Sequence, residues 1–236
     1  SKELCNNSKY QYLYASATTA KLPRNSGAPT CCTFCPSWDL FCAFYDNQGK
    51  PIDESTVYDC HDPFKNRDPR LAETIVEFGT EFLGFTYDPY FRTEEVFCSR
   101  LGCMIENNDT RAKSEYASYT GLIFKKGIDE TWLSPFEATN DKIILRYADV
   151  LLMYAEAKIE LGECDDSVRD AMNAVRGRAY NGKPTFPKIT ETDQAKLRSI
   201  LRAERRMEFP MEALRFYDVM RWRIAEIVYN QPRVGL

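Results

Sequence analysis

The chain has 236 residues and a mass of 27.3 kDa, enough to bury a core without help from disulfides. Its formal charge of −4 and pI near 5.3 argue against a broad phosphate-binding surface, which draws on clustered Lys and Arg, so no nucleic-acid partner is expected. A hydrophobic content of 44% with 28% charged residues is too apolar for disorder, and no apolar run approaches the roughly 20 residues of a spanning helix: the most apolar stretch, 143–161, is broken by Arg146, Asp149, Glu156, Lys158 and Glu160.

The first residues, Ser1-Lys2-Glu3-Leu4-Cys5, lack a basic region followed by an apolar one, so an export signal is expected to be absent or already removed. Nine cysteines follow along the chain (Cys5, Cys31, Cys32, Cys35, Cys42, Cys60, Cys98, Cys103 and Cys164), an odd number that leaves at least one thiol free or paired between molecules. Cys31-Cys32-Thr33-Phe34-Cys35 is the only tight cluster. Its Cys-x-x-Cys suits half a zinc site or a redox pair, but Cys42, Cys60 and the single histidine, His61, supply further ligands by type only, at no recognised spacing. Neither metal nor cofactor is assigned, and free or casually paired cysteines remain the plainer reading.

Two textures divide the chain. Residues 1–139 hold most of the Gly and Pro punctuation and read as a loop-rich, irregular α+β region of short helices and a few strands. Within it, a helix is predicted from Pro36 to Tyr45 with Ser37 as N-cap, and Arg70 to Phe78 is compatible with helix or strand, the alternation Glu73-Thr74-Ile75-Val76-Glu77-Phe78 favouring a short strand.

Residues 140–236 read as two helix pairs. Asn140-Asp141 caps a predicted helix from about Lys142 to Leu161 that ends at Gly162; it is apolar around most of its circumference, as in a helix sandwiched between neighbours. Asp165-Asp166 starts a second helix running to about Tyr180, joined to the first by a short turn that demands an antiparallel hairpin. Thr190-x-x-Asp193 opens a third, with Leu197, Ile200, Leu201 and Met207 inward and Pro210 at its end. A fourth is predicted from Met211 to about Tyr229 with Leu214, Tyr217, Val219, Trp222, Ile224 and Val228 inward. The fold class expected is mainly α, with tetratricopeptide-like hairpins whose spacing is too long for a regular repeat.

The wording of these helices resembles a known family. Arg146-Tyr-Ala-Asp-Val-Leu-Leu-Met-Tyr-Ala-Glu-Ala157, Leu161-Gly-Glu163, Asn173-Ala-Val-Arg-Gly-Arg-Ala179, Glu204-Arg-Arg-Met-Glu-Phe209 and Glu212-Ala-Leu-Arg-Phe-Tyr-Asp218 with Arg221-Trp222 are similar to the C-terminal signature of the SusD/RagB family. Upstream, Pro36-Ser37 with Leu40 and Tyr45, Asn47-Gln-Gly-Lys-Pro51, Asn66-Arg-Asp-Pro-Arg-Leu71 and the Gly121 to Gly127 stretch follow in the family's order. The resemblance implies a surface-exposed outer-membrane lipoprotein of nutrient uptake. Such a protein binds oligosaccharide or polysaccharide without cleaving it, partners a SusC-like TonB-dependent transporter, and touches the membrane only through a lipid anchor. Family members are normally about twice this length, with an N-terminal helical scaffold and a lipid-carrying cysteine; Cys5 has no lipobox before it, so the chain is expected to correspond to the C-terminal half, as a fragment or a natural short form. Ala213 stands where the family customarily has Gly, a change that a helix interior tolerates.

For the charged residues set in these apolar helices (Arg146, Asp149, Glu156, Arg176, Arg178, Glu204, Arg205, Arg206, Arg215 and Asp218), structural ion pairing is expected ahead of a charged ligand cleft or a hydrolytic carboxylate pair, because an unpaired buried charge is prohibitive and a guanidinium fork suits a carboxylate. No catalytic residue is assigned. Sugar capture needs an aromatic platform with polar flanks, and the candidates are Trp38, Tyr58, Tyr87, Tyr90, Phe91 and Trp132, with Asp88, Arg92 and Asn66 beside them; 85–91 is the densest cluster. The competing function is a tetratricopeptide-like protein-interaction module, resting on the two hairpins alone.

Overall fold

The computed structural model describes residues 20–28, 31–128 and 143–230. Among them are seven α-helices and four short strands: α1 Trp38–Ala43, α2 Arg70–Thr74, β1 Thr80–Phe82, β2 Phe85–Tyr87, β3 Glu95–Cys98, β4 Cys103–Glu106, α3 Tyr147–Glu160, α4 Asp166–Ala179, α5 Gln194–Glu208, α6 Leu214–Arg221 and α7 Ala225–Tyr229. The fold is mainly α, with the strands and long loops in the N-terminal half. By their contacts the described residues form two compact units, one of 20–28, 31–41 and 72–128, the other of 42–71 and 143–230.

The first unit is built on two hairpins. β1 pairs antiparallel with β2 in the register Thr80↔Tyr87 and Phe82↔Phe85, and β3 with β4 from Glu95↔Glu106 to Cys98↔Cys103. Alternation along β2 sends Phe85 and Tyr87 into a core shared with Leu22, Val76, Phe82, Leu83 and Ile123. The β1–β2 turn holds Leu83 at φ 58° and Gly84 at φ 79°, the left-handed pair that a tight two-residue hairpin requires, and burial of Leu83 secures its own unfavourable backbone. Ser37 caps α1, its Oγ accepting the Leu40 N–H at 3.1 Å, close to the predicted start. The strand favoured over 73–78 is corrected. Asp68 Oδ1 accepts the Arg70 N–H at 3.0 Å and Pro69 follows it, a helix start that yields α2; only Ile75 then pairs, in a single antiparallel bridge to Phe124.

The second unit is the helical one. α3 packs on α4 and α5 around Leu152, Ile159, Val168, Met172, Val175, Leu197 and Leu201. The predicted punctuation operates here: Gly162 at φ 80° ends α3 with the Glu163 N–H returning to the Lys158 carbonyl at 2.9 Å, Asp165 accepts the Ser167 N–H at 3.0 Å, and Asp193 accepts the Lys196 N–H at 2.9 Å. Two boundaries differ. The proposed cap Asn140-Asp141 lies outside the described residues, and α3 begins at Tyr147 because Arg146 is extended and its side chain is committed elsewhere. α3 is also not covered all round within this unit: Tyr147, Val150, Met153, Tyr154 and Leu161 are exposed, as are Ile143, Ile144 and Leu145 before it. The predicted fourth helix is two, since Arg223 at φ 55° turns the chain and the Ile224 N–H closes back on the Val219 carbonyl at 3.2 Å; Tyr217, expected inward, is exposed. Ala213 is not in a helix interior either. It is the N-cap of α6 at φ 60°, the left-handed region in which glycine is at ease, which gives a physical reason for the family's preference there.

Candidate functional site

In the first unit the sequence leaves β2 at Tyr87 and runs through Asp88-Pro89-Tyr90-Phe91-Arg92-Thr93 before β3. Asp88 shapes this loop: its Oδ1 accepts the Tyr90 N–H at 2.9 Å and its Oδ2 the Thr93 hydroxyl at 2.8 Å. Asn107, fully buried, holds both ends, its Nδ2 donating to the Asp88 carbonyl at 2.8 Å and to the Thr93 carbonyl at 2.9 Å. Two aromatic rings are thereby raised into solvent. Tyr90 is 53% and Phe91 60% exposed, their centroids lie 5.0 Å apart at 58°, and the Arg92 guanidinium sits 5.2 Å from the Phe91 ring. Large rings kept wet on a pinned loop are poor for folding and well suited to stacking on a ligand.

The other aromatic candidates are placed differently. Tyr87 is 1% exposed, with its hydroxyl donating to the Gly121 carbonyl at 2.8 Å; it is a core residue and offers no face to a ligand. Trp38 is half-buried against Phe41, and its indole N–H is used by the Thr120 carbonyl at 2.9 Å. Tyr58 belongs to the second unit, half-buried with the Arg67 guanidinium 5.2 Å from its ring and its hydroxyl pKa pushed up by burial. Asn66, at φ 57°, spends its amide on the Val57 carbonyl at 3.1 Å. Trp132 lies outside the described residues.

The helical unit gathers its charges into a lattice. Glu204, with no exposed surface, accepts from Arg176 Nε at 3.0 Å and from Arg70 Nη1 at 3.0 Å, while Asp68 grips Arg70 from the other side at 2.9 and 2.7 Å. Glu208 takes Arg146, Arg178 and Arg70; Arg146 reaches on to Glu212 through two bonds of 2.7 and 2.8 Å. Arg205 bridges Asp149 and Asp218 at 2.9 Å each, and Arg221 joins Asp218 to Glu156, whose Oε1 also accepts the Trp222 indole N–H at 2.7 Å. Every carboxylate in this set meets a guanidinium, the one arrangement in which buried charges are tolerable. Arg206 and Arg215 border a surface cleft, and each has an interaction of its own. Asp68, Arg70, Glu208, Glu212 and Arg221 complete the lattice and were given no role from sequence; the Asn66-to-Leu71 motif was the available signal, since its Arg67 and Arg70 are both buried.

Cys31, Cys32 and Cys35 are free thiols. Cys35 Sγ donates to the Cys32 carbonyl at 3.0 Å, and the Arg24 guanidinium donates to Cys31 Sγ at 3.3 Å. The Cys31 thiol is pushed down to about 6, first by its hydrogen bond with Cys32 and then by Arg24. Among the described residues no group of three or more His, Cys, Asp or Glu is placed to hold a metal ion.

The sequence matches the SusD family over residues 3–235. The chain belongs to the SusD family. Among curated SusD relatives, it is 29% identical to the SusD-like protein P2 of Formosa agariphila over 70% of this chain and 30% of that one, and 34% identical to the SusD-like protein P25 of the same organism over 45% and 19%. Among solved structures, a SusD-like carbohydrate binding protein from Bacteroides fragilis superposes with a TM-score of 0.73 at 31% identity, covering 93% of this chain and 41% of that one. A second SusD-like protein from the same species gives 0.61 at 32% identity, covering 81% and 36%. The chain thus spans less than half the length of these SusD relatives. The family's C-terminal wording is, in physical terms, the guanidinium–carboxylate lattice just described.

Proposed function

We propose that this chain is part of a non-catalytic glycan-binding protein of an outer-membrane uptake complex, and that Tyr90 and Phe91 are its stacking platform. The exposed aromatic pair on a pinned loop carries the reading, supported by membership of a family in which one structural neighbour is described as carbohydrate binding. The two rings present apolar faces to the C–H side of a pyranose while Arg92 stands ready for its hydroxyls. In this division of labour the helical hairpins of 140–236 are scaffold and the irregular region before them recognises the sugar, which is then handed to a SusC-like TonB-dependent transporter. The protein sits at the cell surface on a lipid anchor, and no helix among the described residues is long and apolar enough to cross a membrane.

Affinity electrophoresis of the chain through gels containing a panel of neutral and acidic polysaccharides tests this. Retardation by at least one polysaccharide, lost in Tyr90→Ala/Phe91→Ala and kept in Trp38→Phe, is expected. Retardation unaffected by the double substitution would remove the platform, and absence of retardation across the panel, with a peptide partner found instead on the helices, would favour the protein-interaction module.

A further inference from the structure

The β3–β4 hairpin, which lends no ring to the platform, sets two thiols opposite each other. Its register pairs Val96 with Ile105, Phe97 with Met104 and, at the closed end, Cys98 with Cys103. Directly opposed residues of an antiparallel pair share a face and have Cα atoms about 4.5–5.5 Å apart, inside the roughly 4.4–6.8 Å that a disulfide spans. What the strands bury fixes which face this is: Val96 and Cys98 are buried and Ile105 packs against the core, while Phe97 and Met104, about half exposed, occupy the outer face. Cys98 is 1% exposed whereas Cys103 is exposed, so the pair straddles the edge of the core with one thiol sheltered and the other reachable from water.

The register that opposes the two cysteines is held by its surroundings. Ser99-Arg100-Leu101-Gly102 closes the hairpin, with Gly102 at φ 67° and its N–H donating to the Cys98 carbonyl at 2.9 Å. Beside it the Ser99 hydroxyl donates to Glu81 Oε1 at 2.6 Å and the Arg100 N–H to the Gly84 carbonyl at 3.4 Å, both on the β1–β2 hairpin. A slip of one residue would send the two side chains to opposite faces. The thiols of the Cys-x-x-Cys cluster are engaged differently: Cys31, which shares a core with Cys98, accepts from Arg24, and Cys32 and Cys35 donate to the Leu22 and Cys32 carbonyls. At its open end the β3–β4 hairpin carries the Asn107 N–H onto the Glu94 carbonyl at 2.9 Å, and Asn107 is the residue that ties down the Tyr90–Phe91 loop. A two-stranded hairpin is marginal by itself, so a covalent tie at the closed end steadies the anchor at the other.

We infer that Cys98 and Cys103 are the site of a cross-strand disulfide that latches the hairpin carrying the platform's anchor. The Cys103 thiolate attacks a low-molecular-weight disulfide, forming a mixed disulfide and releasing one thiolate; the Cys98 thiolate then attacks the Cys103 sulfur and expels the second. Two cysteines are thereby oxidised by two electrons, the external disulfide is reduced to two thiols, and the protons given up by the cysteines end on those thiols. The cell-surface location proposed above supplies the oxidising surroundings, and that part alone rests on the earlier reading.

Treatment of the chain with oxidised glutathione at pH 8, quenching with N-ethylmaleimide and trypsin digestion without reduction tests the assignment, because Arg92, Arg100 and Arg111 place the two cysteines in separate peptides, 93–100 and 101–111. The two peptides are expected as one linked species that separates on reduction. Free peptides carrying maleimide, Cys103 left as a glutathione adduct, or Cys98 joined to Cys31 would each overturn the pairing. In Cys98→Ala the glutathione adduct on Cys103 should persist, since the thiol that displaces it is gone; an unmodified Cys103 in that variant would overturn the order of attack. Amide hydrogen exchange across 88–107 is expected to be about tenfold slower in the oxidised than in the reduced chain, and equal rates would overturn the latch. None of these measurements involves a sugar, so their failure leaves the Tyr90–Phe91 platform untouched.

Discussion

Arg176 on α4 and Glu204 on α5 meet in the interior of the helical unit, Nε donating to Oε1 at 3.0 Å, with Arg70 closing on the other oxygen at the same distance. Removing the carboxylate leaves two guanidiniums buried and undercompensated. Glu204→Gln is therefore expected to cost about 3–5 kcal/mol in urea unfolding followed by far-UV circular dichroism. Arg178→Ala, which removes a largely exposed partner of Glu208, should cost under about 1 kcal/mol. Comparable losses in the two variants would mean that the lattice is surface decoration and not a structural element.

Gly49 is fixed twice over. Its φ is 79°, and a Cβ added there would stand 2.9 Å from Pro187 Cβ and 3.3 Å from the Arg176 guanidinium. Gly49→Ala should lower stability by about 1–2 kcal/mol or more, since backbone strain and a clash with a rigid ring add. Ala213 is the converse case, a side chain held at φ 60°; Ala213→Gly is expected to raise the melting temperature, with a gain of about 1 kcal/mol. A lower melting temperature in that variant would contradict the strain argument.

Asn107 should matter to binding without touching ligand. Its amide fastens both ends of the Asp88-to-Thr93 loop, so Asn107→Ala leaves two carbonyls without their donor. A stability loss of about 1–3 kcal/mol is expected, together with weaker retardation in polysaccharide gels and faster hydrogen exchange confined to 88–93. Unchanged exchange in that loop would show that other contacts hold it.

Burial pushes the Asp109 carboxyl up to about 7 from its ordinary 3.8, against the opposing pull of the Arg24 and Asn25 N–H groups that it accepts. The native state therefore keeps this proton longer than the unfolded chain does. Its contribution to stability is full below pH 3.8 and is lost as pH rises through about 7. The stability difference between the parent and Asp109→Asn, from urea unfolding at pH 4 and pH 8, should shift against the parent by about 1 kcal/mol or more at the higher pH. A shift in the opposite sense would mean that the carboxyl is ionised throughout.

The helical half was legible wherever its signals were local. Asp165, Gly162 and Asp193 act within one turn of the chain, so the end of α3 and the starts of α4 and α5 could be placed from caps and periodicity alone. Ala213 was misread because its left-handed backbone arises from the turn at 210–213 that separates α5 from α6, which no helical period reveals. The general expectation that embedded charges pair was a matter of electrostatics; which acid each arginine meets was not, since Arg70 and Glu204 are 134 residues apart in sequence. Among the aromatics, Tyr87 and Tyr90 are three positions apart in one rich cluster, and composition cannot separate them. A three-residue strand does, by alternation: Phe85 and Tyr87 turn inward and the loop after Asp88 turns outward.

The bare side of α3 carries its own consequence. Ile144, at 91% exposure, leads into Tyr147, Val150, Tyr154 and Leu161 along one flank of a helix whose opposite flank is packed. Water wets such a stripe poorly, which makes the chain colloidally fragile: dye fluorescence of the anilinonaphthalene type should brighten on the native protein, and light scattering should climb with concentration until a mild detergent coats the flank.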